Sequence, residues 1–128
     1  EVAAILQELY FGWFEAIYRK DPEALDNVVA TEEMRAAAVE AMPSAEFERP
    51  PTLESVVVGI DGILLDRPDC LVVARTLDLS TFRGAGSTST AVSVLWPERD
   101  GWRLVNTWSS QNDLWLPDCD LRNRSTEP

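Results

Sequence analysis

The stretch STAVSVLWPERDGWRLVNTWS, residues 89–109, decides the fold. Two runs rich in Val, Leu, Thr and Trp flank a short polar segment, and Asp100-Gly101 is a hairpin signal because Gly accepts positive φ. A three-residue loop, Arg99 to Gly101, sets Glu98 opposite Trp102, Trp96 opposite Leu104, Val94 opposite Asn106 and Val92 opposite Trp108. Side chains alternate between the faces of a strand. One face then carries Val92, Val94, Trp96, Leu104 and Trp108 with one polar residue, Asn106. It is heavy and apolar, so it is assigned to the core, with Trp96 and Trp108 buried on the helix-facing side. The other face carries Ala91, Ser93, Leu95, Val105 and Thr107 with Arg103. It is flat and semi-apolar, and it suits solvent or a second copy of the chain.

The helices stand upstream of this hairpin. Val2, Ile5, Leu6, Leu9, Tyr10, Trp13, Phe14 and Ile17 recur three and four residues apart, which predicts a helix over residues 1–20. Gly12 inside it marks close packing against another element. Asp21-Pro22 starts a second helix, residues 22–30, because Asp caps well and Pro fits the first helical position. Thr31 caps a third, residues 32–42, with Met34, Ala38 and Met42 inward and Pro43 at its end. A proline-rich loop, residues 43–51, leads to strands at 53–65 and 70–80, the first bent or bulged at Gly59 and Gly62. Residues 110–128 form an irregular tail, and Leu114, Trp115 and Leu116 are apolar enough to pack along the sheet. Helices segregated before strands give one α+β domain over residues 1–128. Three N-terminal helices pack in the concave face of a strongly curved, mainly antiparallel sheet.

The chain has 128 residues and a formal charge of −11. It is long enough for a core of its own. Nucleic acid is a poor partner for such an acidic chain, because binding it needs phosphates neutralised by Lys and Arg. No apolar run predicts membrane insertion by this segment. There is no His. That removes the commonest general base and metal ligand, and the Ser-His and Cys-His nucleophile pairs. No phosphate loop and no zinc-type cysteine spacing occurs. Neither a metal nor a cofactor is expected.

The aromatic first helix ending YRKDPEAL (18–25), the two short helices behind it and the late strands with WPERDGWRL (96–104) carry a resemblance. The chain resembles the nuclear transport factor two-like superfamily, also called SnoaL-like or the cystatin-like α+β cone. The resemblance covers nearly the whole chain and implies a bent sheet wrapped round the first helix, leaving a conical pocket. It also implies a range of roles: isomerases, dehydratases, epoxide hydrolases, ligand binders and domains without chemistry. The family's polyketide-cyclase and dehydratase members depend on Asp with His or Tyr in the pocket, and this chain has no His. Family members frequently dimerise through the outer sheet face, so a homodimer through Ala91, Ser93, Leu95, Val105 and Thr107 is expected. Some are extracytoplasmic domains held by an N-terminal anchor, and a start at Glu1 is similar to that arrangement.

Several residues are candidates to line a pocket. Arg75 interrupts the apolar strand face of Leu71, Val73, Leu77 and Leu79. With Val73 beside Trp96, Arg75 lies beside Val94, and Val94 faces Asn106. A guanidinium and an amide then converge to clamp a carboxylate-bearing ligand. A register one residue over turns Arg75 out to solvent instead. Tyr10, Trp13, Phe14 and Tyr18 form an aromatic stripe that reads either as pocket lining or as plain core. Asp61 and Asp78 are the acids nearest these strands, and neither has a second group placed to form a catalytic pair. No catalytic residue is assigned.

Cys70 and Cys119 match no metal or redox motif, and a disulfide between them is expected. From Ser109, ten extended residues reach about 33–36 Å, more than the roughly 30 Å of a nine-residue strand. The tail can therefore return to the end of the sheet where Cys70 stands. Such bridges persist in oxidising compartments, which places the protein outside the cytoplasm, secreted or anchored by a removed N-terminal segment. Two unrelated buried thiols in a cytoplasmic protein are the alternative. The function expected is an extracytoplasmic domain binding a small hydrophobic ligand or a protein partner. The alternative is a small cofactor-free isomerase, dehydratase or hydrolase acting on a hydrophobic substrate in the cone.

Overall fold

The stripe of Leu6, Leu9, Tyr10, Phe14 and Ile17 is buried, and α1 (Val2–Arg19) forms on it as its spacing predicts. A computed structural model describes residues 2–98 and 101–109, and only the backbone of residues 106–109. Lys20 ends α1 in a left-handed turn, φ 56°. Asp21 then caps the next turn, its carboxylate accepting from the Glu23 N–H at 3.2 Å. That turn is a 3₁₀ helix over Pro22–Asn27, shorter than the helix expected to Ala30. The reason is an edge pairing. Leu104 N–H donates to the Val28 carbonyl at 2.8 Å and Ala30 N–H to the Leu104 carbonyl at 2.7 Å. Residues 28–30 are thus drawn out beside the last strand. Thr31 caps α2 (Glu32–Ala41), whose Met34 and Ala38 are buried together with Met42 just beyond it.

The sheet has four antiparallel strands in sequence order: β1 (Val57–Arg67), β2 (Cys70–Asp78), β3 (Thr88–Glu98) and β4 (Gly101–Ser109). It is curved and unclosed, with the N-terminal helices packed against it. A bulge lies between Ile60 and Gly62, as expected at Gly62, whereas Gly59 pairs regularly with Thr76 and the second bulge lies between Ile63 and Leu65. One element is unexpected. A single turn, α3 (Ser80–Arg83), follows β2 and buries Phe82 completely.

Two pairs of the expected hairpin register hold: Val94 opposite Asn106 and Val92 opposite Trp108. Toward the turn the register differs. Glu98 pairs with Gly101, Trp96 with Arg103 and Leu95 with Leu104, so a two-residue connection replaces the three-residue loop. A bulge between Val94 and Leu95 absorbs the difference.

The larger correction concerns which face of β3 meets the helix. Leu71, Val73, Leu77, Leu95 and Leu104 share one cluster with Leu6, Leu9, Tyr10 and Phe14 of α1. Val92, Val94 and Trp96 lie in a second cluster with Cys70, Val72 and Val105, on the opposite side of the sheet. Trp96 is buried as expected, but away from α1. Ser93 and Leu95, read as an outer face, are completely buried, so they are not available to a homodimer through that surface. The greater weight of one face could not identify the helix side, because both faces of the central strands are buried. The side chains of Asn106, Thr107 and Trp108 lie outside the described residues, as does the whole segment 110–128.

At Gly12 α1 lies close against Val28. A Cβ there would stand 2.7 Å from Val28 Cγ2. Gly12→Ala gains about 1 kcal/mol of helix propensity, whereas overpacking costs about 1–3 kcal/mol. The expected net result in urea denaturation is a loss of about 1 kcal/mol, recovered in part when Val28→Ala is added. A more stable Gly12→Ala chain would contradict this close packing.

Candidate functional site

Arg75 stands on the α1 side of β2, in the strand face that also carries Val73 and Leu77. It is 3 % exposed, so the register that would turn it to solvent is excluded. Its neighbours are not those the sequence placed there. Arg75 pairs with Ala91 on β3, and Val73 pairs with Ser93. The face carrying Val94 and Trp96 is on the far side of the sheet, so Arg75 does not stand beside Val94.

What surrounds Arg75 is a set of hydroxyls. Nε donates to Ser93 Oγ at 3.2 Å. Nη1 donates to the Ser89 carbonyl at 3.2 Å and to Ser89 Oγ at 3.3 Å. Nη2 donates to the Tyr10 hydroxyl at 3.1 Å, and Cζ lies 4.8 Å from the centre of the Tyr10 ring. Tyr10 and Ser93 are themselves 2.7 Å apart, oxygen to oxygen. One guanidinium therefore ties α1 to β2 and β3. Among the described residues the ion pairs are Arg19–Glu15, Arg35–Asp26 and Arg67–Asp69, and none reaches Arg75. A buried cation needs hydrogen bonds on several sides when no counter-charge is present. Neutral oxygens supply them here, and the cluster reaches the surface at Ser89, which is exposed. Each of these acceptors leaves the charge uncancelled. Ser93 was missed because it was read as an outer-face residue, and Ser89 was assigned to neither face. The signal for them was their position two residues either side of Ala91, the partner of Arg75.

The aromatic stripe divides. Tyr10 belongs to the polar cluster. Phe14 makes an edge-to-face contact with Phe82 at 5.5 Å, and Phe82 stacks on Phe47 at 5.7 Å. Tyr18 is exposed and meets Phe47 edge-on at 5.4 Å, while Trp13 is partly buried against the core. Phe14, Trp13 and Tyr18 are therefore core and rim residues at the end of α1.

The acids stand apart. Asp61 accepts from Thr76 Oγ1 at 2.7 Å on the exposed side of the sheet. Asp78 accepts from the Ser80 hydroxyl at 2.7 Å and the Ser80 N–H at 3.1 Å. Those bonds, the hydroxyl's first, hold its carboxyl below the usual value of 3.8. A general acid needs the opposite shift. The contribution of these bonds to stability is present above the ordinary value and is lost as pH falls through the lowered one.

The described clefts are peripheral. One of about 290 Å³ lies between Ile5, Glu8, Leu9 and Asn27 on one side and Trp102 and Arg103 on the other. Arg103 there donates to the Trp102 carbonyl at 3.1 Å. The described clefts are not lined by Arg75, Tyr10 or Ser93. Among the described residues no group of three or more His, Cys, Asp or Glu side chains could hold a metal ion. Nor is any described helix long and apolar enough to cross a membrane.

Tyr10→Phe removes an acceptor from a buried guanidinium and is expected to cost about 1.5–3 kcal/mol in chemical denaturation. Arg75→Met removes the charge itself, leaves Tyr10 and Ser93 bonded to each other, and is expected to cost no more than about 1 kcal/mol. A larger loss from Arg75→Met than from Tyr10→Phe would contradict this description of the cluster.

In comparisons with known proteins, no protein family, no curated protein and no solved structure matches the chain.

Proposed function

We propose that this is a binding domain acting outside the cytoplasm, of the nuclear transport factor two-like cone type, whose partner is engaged at the surface. The observation that carries the reading is the contact of Tyr10 with Arg75. The aromatic ring and hydroxyl that would face a ligand in an open cone instead cover the cation, at 4.8 Å and 3.1 Å. The acids offer little to a reaction: Asp61 and Asp78 are exposed and occupied by Thr76 and Ser80. Support for the cone comes from the long α1 lying against a curved, antiparallel sheet.

A second reading is favoured by one detail. Nη2 of Arg75 has two hydrogens, and among the described residues only Tyr10 accepts from it. A displaced Tyr10 would leave that hydrogen and one more for a carboxylate, giving a pocket for a carboxylate-bearing hydrophobic ligand or for a small cofactor-free enzyme. Thermal melts with short- and medium-chain carboxylic acids separate the two. The surface-binding reading expects no shift. A rise of about 5 °C or more, the effect of a ligand far above its dissociation constant, and its loss in Arg75→Met, would replace that reading with the pocket.

The extracytoplasmic placement rests on a bridge between Cys70 and Cys119. Cys119 lies outside the described residues. Support comes from Cys70, which is completely buried at the head of β2, and no cysteine among the described residues is a free thiol. Thiol titration of the denatured, unreduced protein is expected to find none. Two free thiols would remove both the bridge and the placement inferred from it.

A further inference from the structure

Cys70, Val72, Val92, Val94, Trp96 and Val105 form an apolar cluster on the side of the sheet away from α1. Among the described residues no helix contributes a buried side chain to it, and beyond the sheet only Ala30 packs against it. Yet Cys70 and Val94 are 0 % exposed and Val72 is 1 % exposed. Side chains on a strand stand out from the sheet, so neighbours within the sheet shield their flanks and leave their tips to water. Tips removed from water need a second layer over them. That burial is present within one copy of the chain. It also has a boundary. Ala74 and Thr76 are half-buried, and Asp78, Thr88 and Thr90 are exposed. The covered part therefore ends near the Ala74–Val92 pair, level with Trp108 and Ser109, where β4 ends.

We propose that residues 110–119 fold back over this face as a strap, running from Ser109 across β3 toward Cys70. Three observations select this segment. The residues outside the described part are Glu1, Arg99, Asp100 and 110–128, and only the last stretch is long enough to cover a face of three strands. Its reach fits. Ser109 pairs with Ala91, and Cys70 stands one residue beyond Leu71, which pairs with Leu95. The diagonal from Ser109 to Cys70 therefore runs five residues along and two strands over, about 20 Å at ~3.3 Å per residue and ~4.8 Å per strand. Ten residues extend to about 33–36 Å, enough to rise over the side chains and come down again. The apolar residues fit as well. The midpoint of the diagonal crosses β3 at Ser93 and Val94, of which Val94 belongs to the far face. The midpoint of the segment is Leu114, followed by Trp115 and Leu116. The apolar run of the tail thus falls over a completely buried residue. Cys70 belongs to the same face, so a bridge from Cys119 would fasten the end of the strap. The strap itself rests on the buried face and not on the bridge.

Photo-cross-linking of the full chain tests it, with Trp115 replaced by p-benzoylphenylalanine. Cross-links within one copy to the peptides carrying Val72, Val94 or Val105 are expected. Cross-links to α1, to the free edge of β1 or to a second copy, or none at all, would overturn the proposal. Hydroxyl-radical labelling gives a second readout. Leu114→Asp/Trp115→Asp is expected to raise the oxidation of Trp96 roughly tenfold, because a covered side chain reacts only when its cover opens. Val39→Asp, at an exposed position on α2, is expected to leave it unchanged. Trp96 as well protected in the double variant as in wild type would also overturn the strap. Should the double variant fail to fold, the cross-links decide. Cross-links to Val94 in a protein with two free thiols would keep the strap and remove the bridge.

Discussion

A guanidinium buried with no carboxylate partner among the described residues dictates where oxygens must stand around it. Arg75 takes them from Tyr10, Ser93 and Ser89. Burying a charge is tolerable only when its hydrogens are engaged, so the helix cannot slide along the sheet without leaving part of the group unbonded. The apolar contacts of Leu6, Leu9 and Phe14 with Leu71, Val73 and Leu95 give cohesion but little register, because one aliphatic contact replaces another at modest cost. The hydroxyl cluster supplies the register. The end of α1 is fixed separately, by Phe82, which meets both Phe14 and Phe47, and its beginning by Gln7, which donates to the carbonyls of Leu53 and Val56.

The elements that sequence periodicity made legible are those whose two sides differ. α1 has one apolar stripe, and its buried set follows the spacing. The caps at Asp21 and Thr31 are local chemistry and stand where the residues place them. The α+β order and the antiparallel hairpin were legible for the same reason. The face of β3 was not. Its two sides are Val92, Val94 and Trp96 against Ser93 and Leu95, and every one of these is buried. When both sides leave water, hydrophobicity carries no sign, and only the partner strand settles the question. Arg75 was legible as an anomaly in an apolar face. Its partners were not, because Ser93 reads as a solvent residue until a buried donor is placed opposite it. The 3₁₀ form of residues 22–27 was hidden for a related reason: the backbone bonds of Val28 and Ala30 with Leu104 bridge more than seventy positions.

Among the described residues the helix–sheet interface is packed, and β1 stands at an edge of the sheet. The centre of the helix–sheet interface holds Tyr10 on Arg75 and leaves the described clefts at the periphery. Outside, β1 exposes Val57, Ile60, Ile63 and Leu64 in a chain of net charge −11. The sheet that fixes Arg75 through β2 also sets Ile60 and Ile63 on its rim.

Tyr10 and Arg75 act as one unit. A double-mutant cycle in chemical denaturation measures it, with Tyr10→Phe and Arg75→Met alone and combined. The claim predicts that Tyr10→Phe costs much less once the charge is gone, a coupling of about 1–2 kcal/mol, as for contacting residues in one network. Additive losses, equal within about 0.5 kcal/mol, would contradict it.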